Sequence, residues 1–273
     1  MKERITVACV GLATRDTILA VPGQPPADGR VVACDWVVAG GGPAATAAVT
    51  LARLGVAAAF VGTVGDDDAG AFVRDGLAAE GVDVTGLAVV PGARTPQSVI
   101  LVGPDGSRSI VHRPGDAEIP AVEPDAEWVH VDHAGYGRAR GRLSVDGGNP
   151  IAGLDLHGVA LYAPTEERLR ADFGDPERAL AAGAETVVVT RGAGGSVAYT
   201  RDGAVEAPGV PCEPVSTLGA GDVFHGALLA YLVRGAPLAG ALRAANSAAS
   251  LSCRALDGRS AIPTLDELER ILQ

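Results

Sequence analysis

In Ser216-Thr217-Leu218-Gly219-Ala220-Gly221-Asp222, small residues lead straight into an apolar run that reads as the opening of a long helix. The free N–H groups of a helix start, presented by residues without bulk, make an anion site. Asp222 lies inside that turn, where its charge opposes an anion. The placement makes sense if the carboxylate takes a proton from an attacking hydroxyl while the N–H groups of Gly219, Ala220 and Gly221 neutralise a phosphoryl group. A Gly-rich loop with aspartate as a helix cap is the plainer reading, and the local pattern leaves both open. A second glycine cluster, Gly40-Gly41-Gly42, runs into Pro43, a residue suited to the first position of a helix. A third, Thr190-Arg191-Gly192-Ala193-Gly194-Gly195, follows a β-branched run and by itself is a turn.

Charge and composition bound the chemistry. The 273 residues carry 22 Lys+Arg against 33 Asp+Glu, a formal charge of −11, and the one lysine is Lys2. That excludes a P-loop kinase and a protein kinase, both of which place a lysine on the phosphates, and Schiff-base chemistry as well. The acid excess argues against a nucleic-acid partner. Cys9, Cys34, Cys212 and Cys253 are widely spaced and read as reduced, mostly buried thiols rather than a disulfide frame or a zinc site. The opening apolar run is too short for a signal peptide, and no uncharged stretch is long enough to span a membrane. A cytoplasmic protein is expected.

The elements that must position these clusters follow from periodicity. Ile5–Val10, Ala57–Gly62, Trp128–Asp132, Gly158–Tyr162 and Thr186–Thr190 read as buried strands. Ala44–Leu54, Asp66–Glu80, the stretch from Asp175-Pro176 to near Gly183, Ala220–Arg234 and Leu238–Cys253 read as helices. Thr264-Leu265-Asp266-Glu267 is a capping box opening the last one. Alternation of this kind implies a mostly parallel sheet covered by helices, with ligands at the carboxyl ends of the strands. Ser98–Gly103 and Ser107–Arg113 flank Pro104-Asp105-Gly106 as a hairpin, and with Thr17–Val38 they form a small separate sheet. Between Asp132 and Leu143 the chain is short and rich in glycine and arginine, so any crossover helix there must be short.

Gly219-Ala220-Gly221-Asp222 opening a late helix resembles the C-terminal signature of the ribokinase, or PfkB-type, carbohydrate kinases. Gly40-Gly41-Gly42-Pro43-Ala44-Ala45-Thr46-Ala47-Ala48, Arg53-Leu54-Gly55 and Val61-Gly62-Thr63-Val64-Gly65-Asp66-Asp67 are similar to its N-terminal signature. The two stand in the right order, the likeness spans nearly the whole chain, and it is nearest the sulfofructose-kinase branch. The resemblance implies one domain over residues 1–273, a three-layer α/β/α core with a mostly parallel sheet, and a small β-sheet lid from about 14–38 and 96–113. It implies ATP-dependent phosphorylation of a hydroxyl on a furanose, ketose or related sugar. Asp222 would be the general base, and Gly219, Ala220 and Gly221 the anion hole. Asp16, Arg30, Gly41, Gly42, Thr46 and His112 would meet the sugar. Thr190, Gly192, Gly195 and Asn246 would meet the nucleotide, and Glu166 would organise Mg2+. A homodimer through the lid is expected.

Some positions depart from the family pattern. Ser216 stands where an aspartate helps to hold a monovalent cation, so K+ is left open. Ala163 replaces the asparagine of the Asn-x-x-Glu motif. Thr46 replaces a common asparagine, as in the sulfofructose-like branch. Ala134 falls where that branch reads a sulfonate with arginine, Arg30 where it has lysine, and His112 where it has asparagine. Three other readings are a non-catalytic sugar- or nucleotide-binding protein on the same fold, a nucleoside kinase, and a Rossmann oxidoreductase. With aromatic content at 4%, a base-stacking site is poorly provided for. No Gly-x-Gly-x-x-Gly follows the first strand, which removes the third.

Overall fold

The computed structural model describes residues 5–273, so Lys2 lies outside the described residues. The chain runs through β1 (Val7–Val10), β2 (Thr14–Ala20), β3 (Asp35–Gly41), α1 (Pro43–Arg53), β4 (Ala58–Gly65), α2 (Asp68–Ala79), β5 (Asp83–Val90), β6 (Gln97–Val102) and β7 (Arg108–Arg113). It continues through β8 (Trp128–Val131), β9 (Leu143–Gly147), β10 (Val159–Pro164), α3 (Glu166–Asp172), α4 (Pro176–Ala181), β11 (Thr186–Thr190), β12 (Ser196–Thr200) and β13 (Gly203–Ala207). Three helices close it: α5 (Ala220–Val233), α6 (Leu238–Ser252) and α7 (Leu265–Leu272).

Nine strands form the large sheet in the order β13-β12-β11-β10-β9-β8-β1-β4-β5. Seven of them, β11 through β5 along that order, are parallel, and β12 and β13 add an antiparallel edge. β1, β8 and β10 are buried along their whole length because helices or coil cover both faces. Chain order breaks between β1 and β8, and a crevice forms beyond the carboxyl ends of the strands at such a point.

One face packs on α1, α5 and α6. α5 is apolar nearly all round and buried from Val223 to Ala230, as expected of a central helix. It crosses α1 closely because Gly226 lies against Ala47, where a Cβ would come within 2.7 Å of the Ala47 carbonyl oxygen. The other face is covered more thinly, by the short helices α3 and α4 and by coil. Residues 132–142 contain turns and no helix, so even a short crossover helix is absent there. Residues 148–158, between β9 and β10, are also helix-free. The two coils are tied together by Tyr136, whose hydroxyl donates to the Asp155 carbonyl (2.7 Å) and accepts from the Asp155 N–H (2.9 Å).

The second sheet has four strands, β3-β2-β6-β7. β3 begins at Asp35, and residues 31–34 are coil. One face of this sheet turns toward the crevice and carries Ile18, Ile100 and Val102, all buried. Cys9 and Cys253 are buried, whereas Cys34 and Cys212 are exposed, so only half the thiols match the expectation.

Candidate active site

A cleft of about 410 Å3 lies between the carboxyl ends of the large sheet and the inner face of the small one. Asp222, at the start of α5, reaches it from below, and Asp16 and His112 reach it from above.

The small sheet presents a row of polar groups at period two. Asp16 on β2 is in register with Ser98 on β6, and Ser98 with His112 on β7. Ser98 Oγ lies 3.2 Å from His112 Nδ1. Thr14 Oγ1 and Asp16 Oδ1 are buried with no hydrogen-bond partner. Such groups carry a desolvation cost of about 1–3 kcal/mol each until something fills their valence. Burial raises the Asp16 carboxyl above its ordinary range, opposed by the neighbouring hydroxyls and by Arg259 and His112. Burial also holds His112 below the usual histidine value, with Asp16 opposing. Gly41 closes this corner: a Cβ there would stand 1.9 Å from Asp16 Oδ2.

Asp132, at the end of β8, fixes the floor. Its carboxylate accepts from the N–H groups of Leu12 (2.8 Å), Ala44 (3.1 Å), Ala134 (2.9 Å) and Gly135 (3.0 Å). One buried carboxylate thus pins the loop after β1, the start of α1 and the turn after β8.

Gly219 adopts the left-handed conformation (φ 74°) as the cap of α5, and no side chain satisfies the helix start. The Ala220 N–H makes a long bond to the Thr217 carbonyl (3.4 Å), and the N–H groups that follow it in the first turn have no helical acceptor before them. Asp222 is half-buried among them, its pKa pushed up to about 7 by desolvation and by Asp146, against His225 and Arg108. Ser216 is fully buried, and its Oγ accepts from the Leu218 N–H (3.1 Å). The β6–β7 hairpin is tied to this loop. The Thr217 N–H and Oγ1 both donate to the Gly106 carbonyl (3.1 Å each), and Arg108 donates to Thr217 Oγ1 (3.1 Å).

Arg259, like Thr14 and Ser98 in the cleft lining, is a site residue that the sequence reading missed. It is 9% exposed and comes from the loop before α7. Its guanidinium donates to the Gly41 carbonyl (2.7 Å) and to Thr46 Oγ1 (3.1 Å), beside Asp16. Burial pulls its pKa down to about 10, so it stays cationic at neutral pH. Asp257 shapes its loop by accepting from the N–H groups of Arg259 and Ser260, both at 2.7 Å. Arg53 clamps the same loop through the carbonyls of Arg259 and Ile262.

Of the residues read from the sequence, Asp16, Gly42, His112, Thr190, Gly219, Gly221 and Asp222 line the cleft. Ala220 stands between two of these, and Gly41 and Thr46 lie behind the wall on Arg259. Five do not reach it. Arg30 is exposed in the loop between β2 and β3. Glu166 opens α3 with its side chain 53% exposed, 3.7 Å from Arg191. Gly192 and Gly195 belong to the turn after β11, beyond Thr190. Asn246 is buried in α6 and donates to the carbonyls of Ala207 and Pro208 (3.1 Å each), holding the end of β13.

The model of the pfkB family of carbohydrate kinases matches residues 4–136 and 157–265. The gap coincides with most of the two helix-free crossovers. An ATP-dependent ribose-1-phosphate kinase from Halopiger xanaduensis is 30% identical, over 98% of this chain and 98% of its own. A ribokinase from Bacillus subtilis is 28% identical, over 97% of this chain and 99% of its own. The structure of a ribokinase from Thermotoga maritima shares the fold, with a TM-score of 0.85 and 24% identity, covering 98% of this chain and 99% of that one.

Proposed function

The chain belongs to the pfkB family of carbohydrate kinases, and from that membership we propose that it uses ATP to phosphorylate a hydroxyl of a furanose- or ketose-type sugar. One observation carries the reading. A single cleft joins a carboxyl held near neutral pKa at an uncapped helix start to a row of polar groups that includes two buried atoms without partners, Thr14 Oγ1 and Asp16 Oδ1.

The sugar lies under the small sheet, its hydroxyls filling the open valences of Thr14 and Asp16, with Ser98 and His112 beside them. Arg259 fixes the Gly41 carbonyl and neutralises Asp16, so the glycine edge keeps one shape. The reacting hydroxyl points at Asp222, which takes its proton. The N–H groups of Gly219, Ala220 and Gly221 meet the charge that develops on the transferred phosphoryl group. Positioning and fixed dipoles suffice for this transfer, and no lysine is required. ATP is the phosphoryl donor, seated beyond Thr190 toward the turn Gly192–Gly194 and the end of β13. Mg2+ would neutralise its phosphates. Oxygens suited to that ion are present on Glu166, Thr165 and Asn149, the last two at the cleft wall.

An adjoining cavity of about 270 Å3 shares Leu12, His112 and His133 with the cleft and adds Glu118 and Arg138. No Phe, Tyr or Trp ring lines it, and His133 and Arg138 do, so it suits an anionic or hydroxylated substituent on the sugar better than a nucleobase. Ribose-1-phosphate and ribose head the substrates to try, with fructose next and a nucleoside last. The outer face of the small sheet is apolar, with Trp36 65% and Val111 72% exposed, and a second copy of the chain is proposed to cover it.

Purified protein, Mg-ATP and a panel of these sugars, read by ADP release, test the activity. Turnover with at least one sugar, lost in Asp222→Asn, is expected. No turnover above background with any of them, together with unchanged sugar and ATP binding in that variant, favours a binding protein on the kinase fold.

A further inference from the structure

Beneath the cleft, between the large sheet and α5, three buried side chains converge. His130 comes from β8, Asp146 from β9, and His225 from α5 one turn beyond Asp222. They are 0%, 3% and 5% exposed, and one donor atom from each lies within 4.8 Å of the other two. Asp146 Oδ2 is 3.1 Å from His225 Nδ1, and the two imidazole rings are 5.8 Å apart between centroids. His130 Nδ1 is engaged by Ser144 Oγ at 3.2 Å, whereas His130 Nε2 has no hydrogen-bond partner. His225 Nδ1 also lacks a well-directed one, despite the carboxylate beside it. Buried polar atoms are nearly always satisfied, so an open His130 Nε2 beside a buried Asp146–His225 pair calls for an explanation.

We propose that His130 Nε2, Asp146 Oδ2 and His225 Nδ1 form a binding site for one transition-metal ion, with Zn2+ the best-matched. Two imidazoles and one carboxylate are a donor set for such ions and a poor one for Mg2+, which prefers oxygen throughout. The site is therefore chemically distinct from the position of the nucleotide's Mg2+. Ser144 supplies the outer contact that orients a ligating histidine through its other nitrogen. Three protein ligands leave room for a fourth, and Asp146 and His225 both border the cleft, which gives the ion a way in. The remaining histidines, His112, His133 and His157, are exposed and lie outside the cluster.

The test uses the full-length protein stripped with a chelator and needs no kinase activity, so its result stands apart from that of the sugar assay. Zn2+, and Co2+ as a spectroscopic probe, are titrated by calorimetry and visible absorption in the presence of excess Mg2+. One equivalent should bind. His130→Asn and Asp146→Asn should each weaken binding more than about 100-fold, beyond the 10–100-fold that loss of an outer partner costs. His157→Asn should leave it unchanged. If neither cluster variant folds, X-ray absorption of the zinc-loaded wild type decides, with imidazole nitrogens at about 2.0–2.1 Å expected. No stoichiometric binding, binding that survives in both cluster variants, or a zinc shell without imidazole overturns the proposal.

Discussion

Asp222→Asn replaces the proposed base by a group of the same shape that cannot accept the proton. General-base loss lowers rates by about 10²–10⁴-fold. At 1.36 kcal/mol per decade, that is about 2.7–5.4 kcal/mol of transition-state stabilisation. The wild-type pH profile gives a sharper check. With the Asp222 pKa pushed to about 7 by desolvation and Asp146, the carboxylate form is lost as pH falls through that value. At pH 6 about a tenth of the enzyme carries the base, so kcat/KM for the sugar should stand roughly tenfold below its plateau and drop tenfold with each further unit. The structure describes the free enzyme, which the rate reports when sugar and Mg-ATP are both held well below saturation. Initial rates from pH 5 to 9, by coupled ADP detection, measure the limb. An acid limb centred near pH 4, or an Asp222→Asn enzyme within tenfold of wild-type kcat, refutes the reasoning.

Asp16→Asn keeps the volume but removes the charge beside Arg259, and KM for the sugar should rise at least about tenfold with a smaller change in kcat, measured by initial rates. In Gly41→Ala the new methyl meets Asp16 Oδ2 at 1.9 Å. Sugar affinity by calorimetry should fall by about tenfold or more while thermal unfolding shifts little, because Asp16 must leave its place. Asp132→Ala strips the acceptor from four backbone N–H groups. It should cost roughly 3–5 kcal/mol in denaturant unfolding, the range for breaking a buried charged network.

The fold and half the site were legible in the amino-acid sequence because their signals are local. Asp222 and its glycines announce a helix start within seven residues. The Asp105-Gly106 turn announces a hairpin, and Asp16 follows the first strand. Arg259 carries no local signal. It sits in Asp257-Gly258-Arg259-Ser260, which reads as an exposed turn, and its contacts with Thr46 and Gly41 lie more than 200 residues away in the chain. Arg30 was inferred from an aligned lysine, and it stands exposed in the 21–34 loop, outside the cleft lining. Asn246 looked available as a polar group in an Ala-rich helix, but two carbonyls at the end of β13 had already claimed it. His130 and Asp146 lie in buried strands whose polar positions resemble breaks in an apolar run, and only the tertiary fold brings them to His225.

The bonds from Thr217 to Gly106 and Arg108 mean that the β6–β7 hairpin and the loop before α5 are not mechanically independent. To move one without the other, three hydrogen bonds must break. With the sugar bound as proposed, force exerted on the hairpin by groups at the sugar's far end is delivered to the turn that sets Gly219 in place. Binding energy gathered at one end of the molecule is expressed as alignment at the other. Substrates trimmed of those distant groups would then lose turnover as well as affinity.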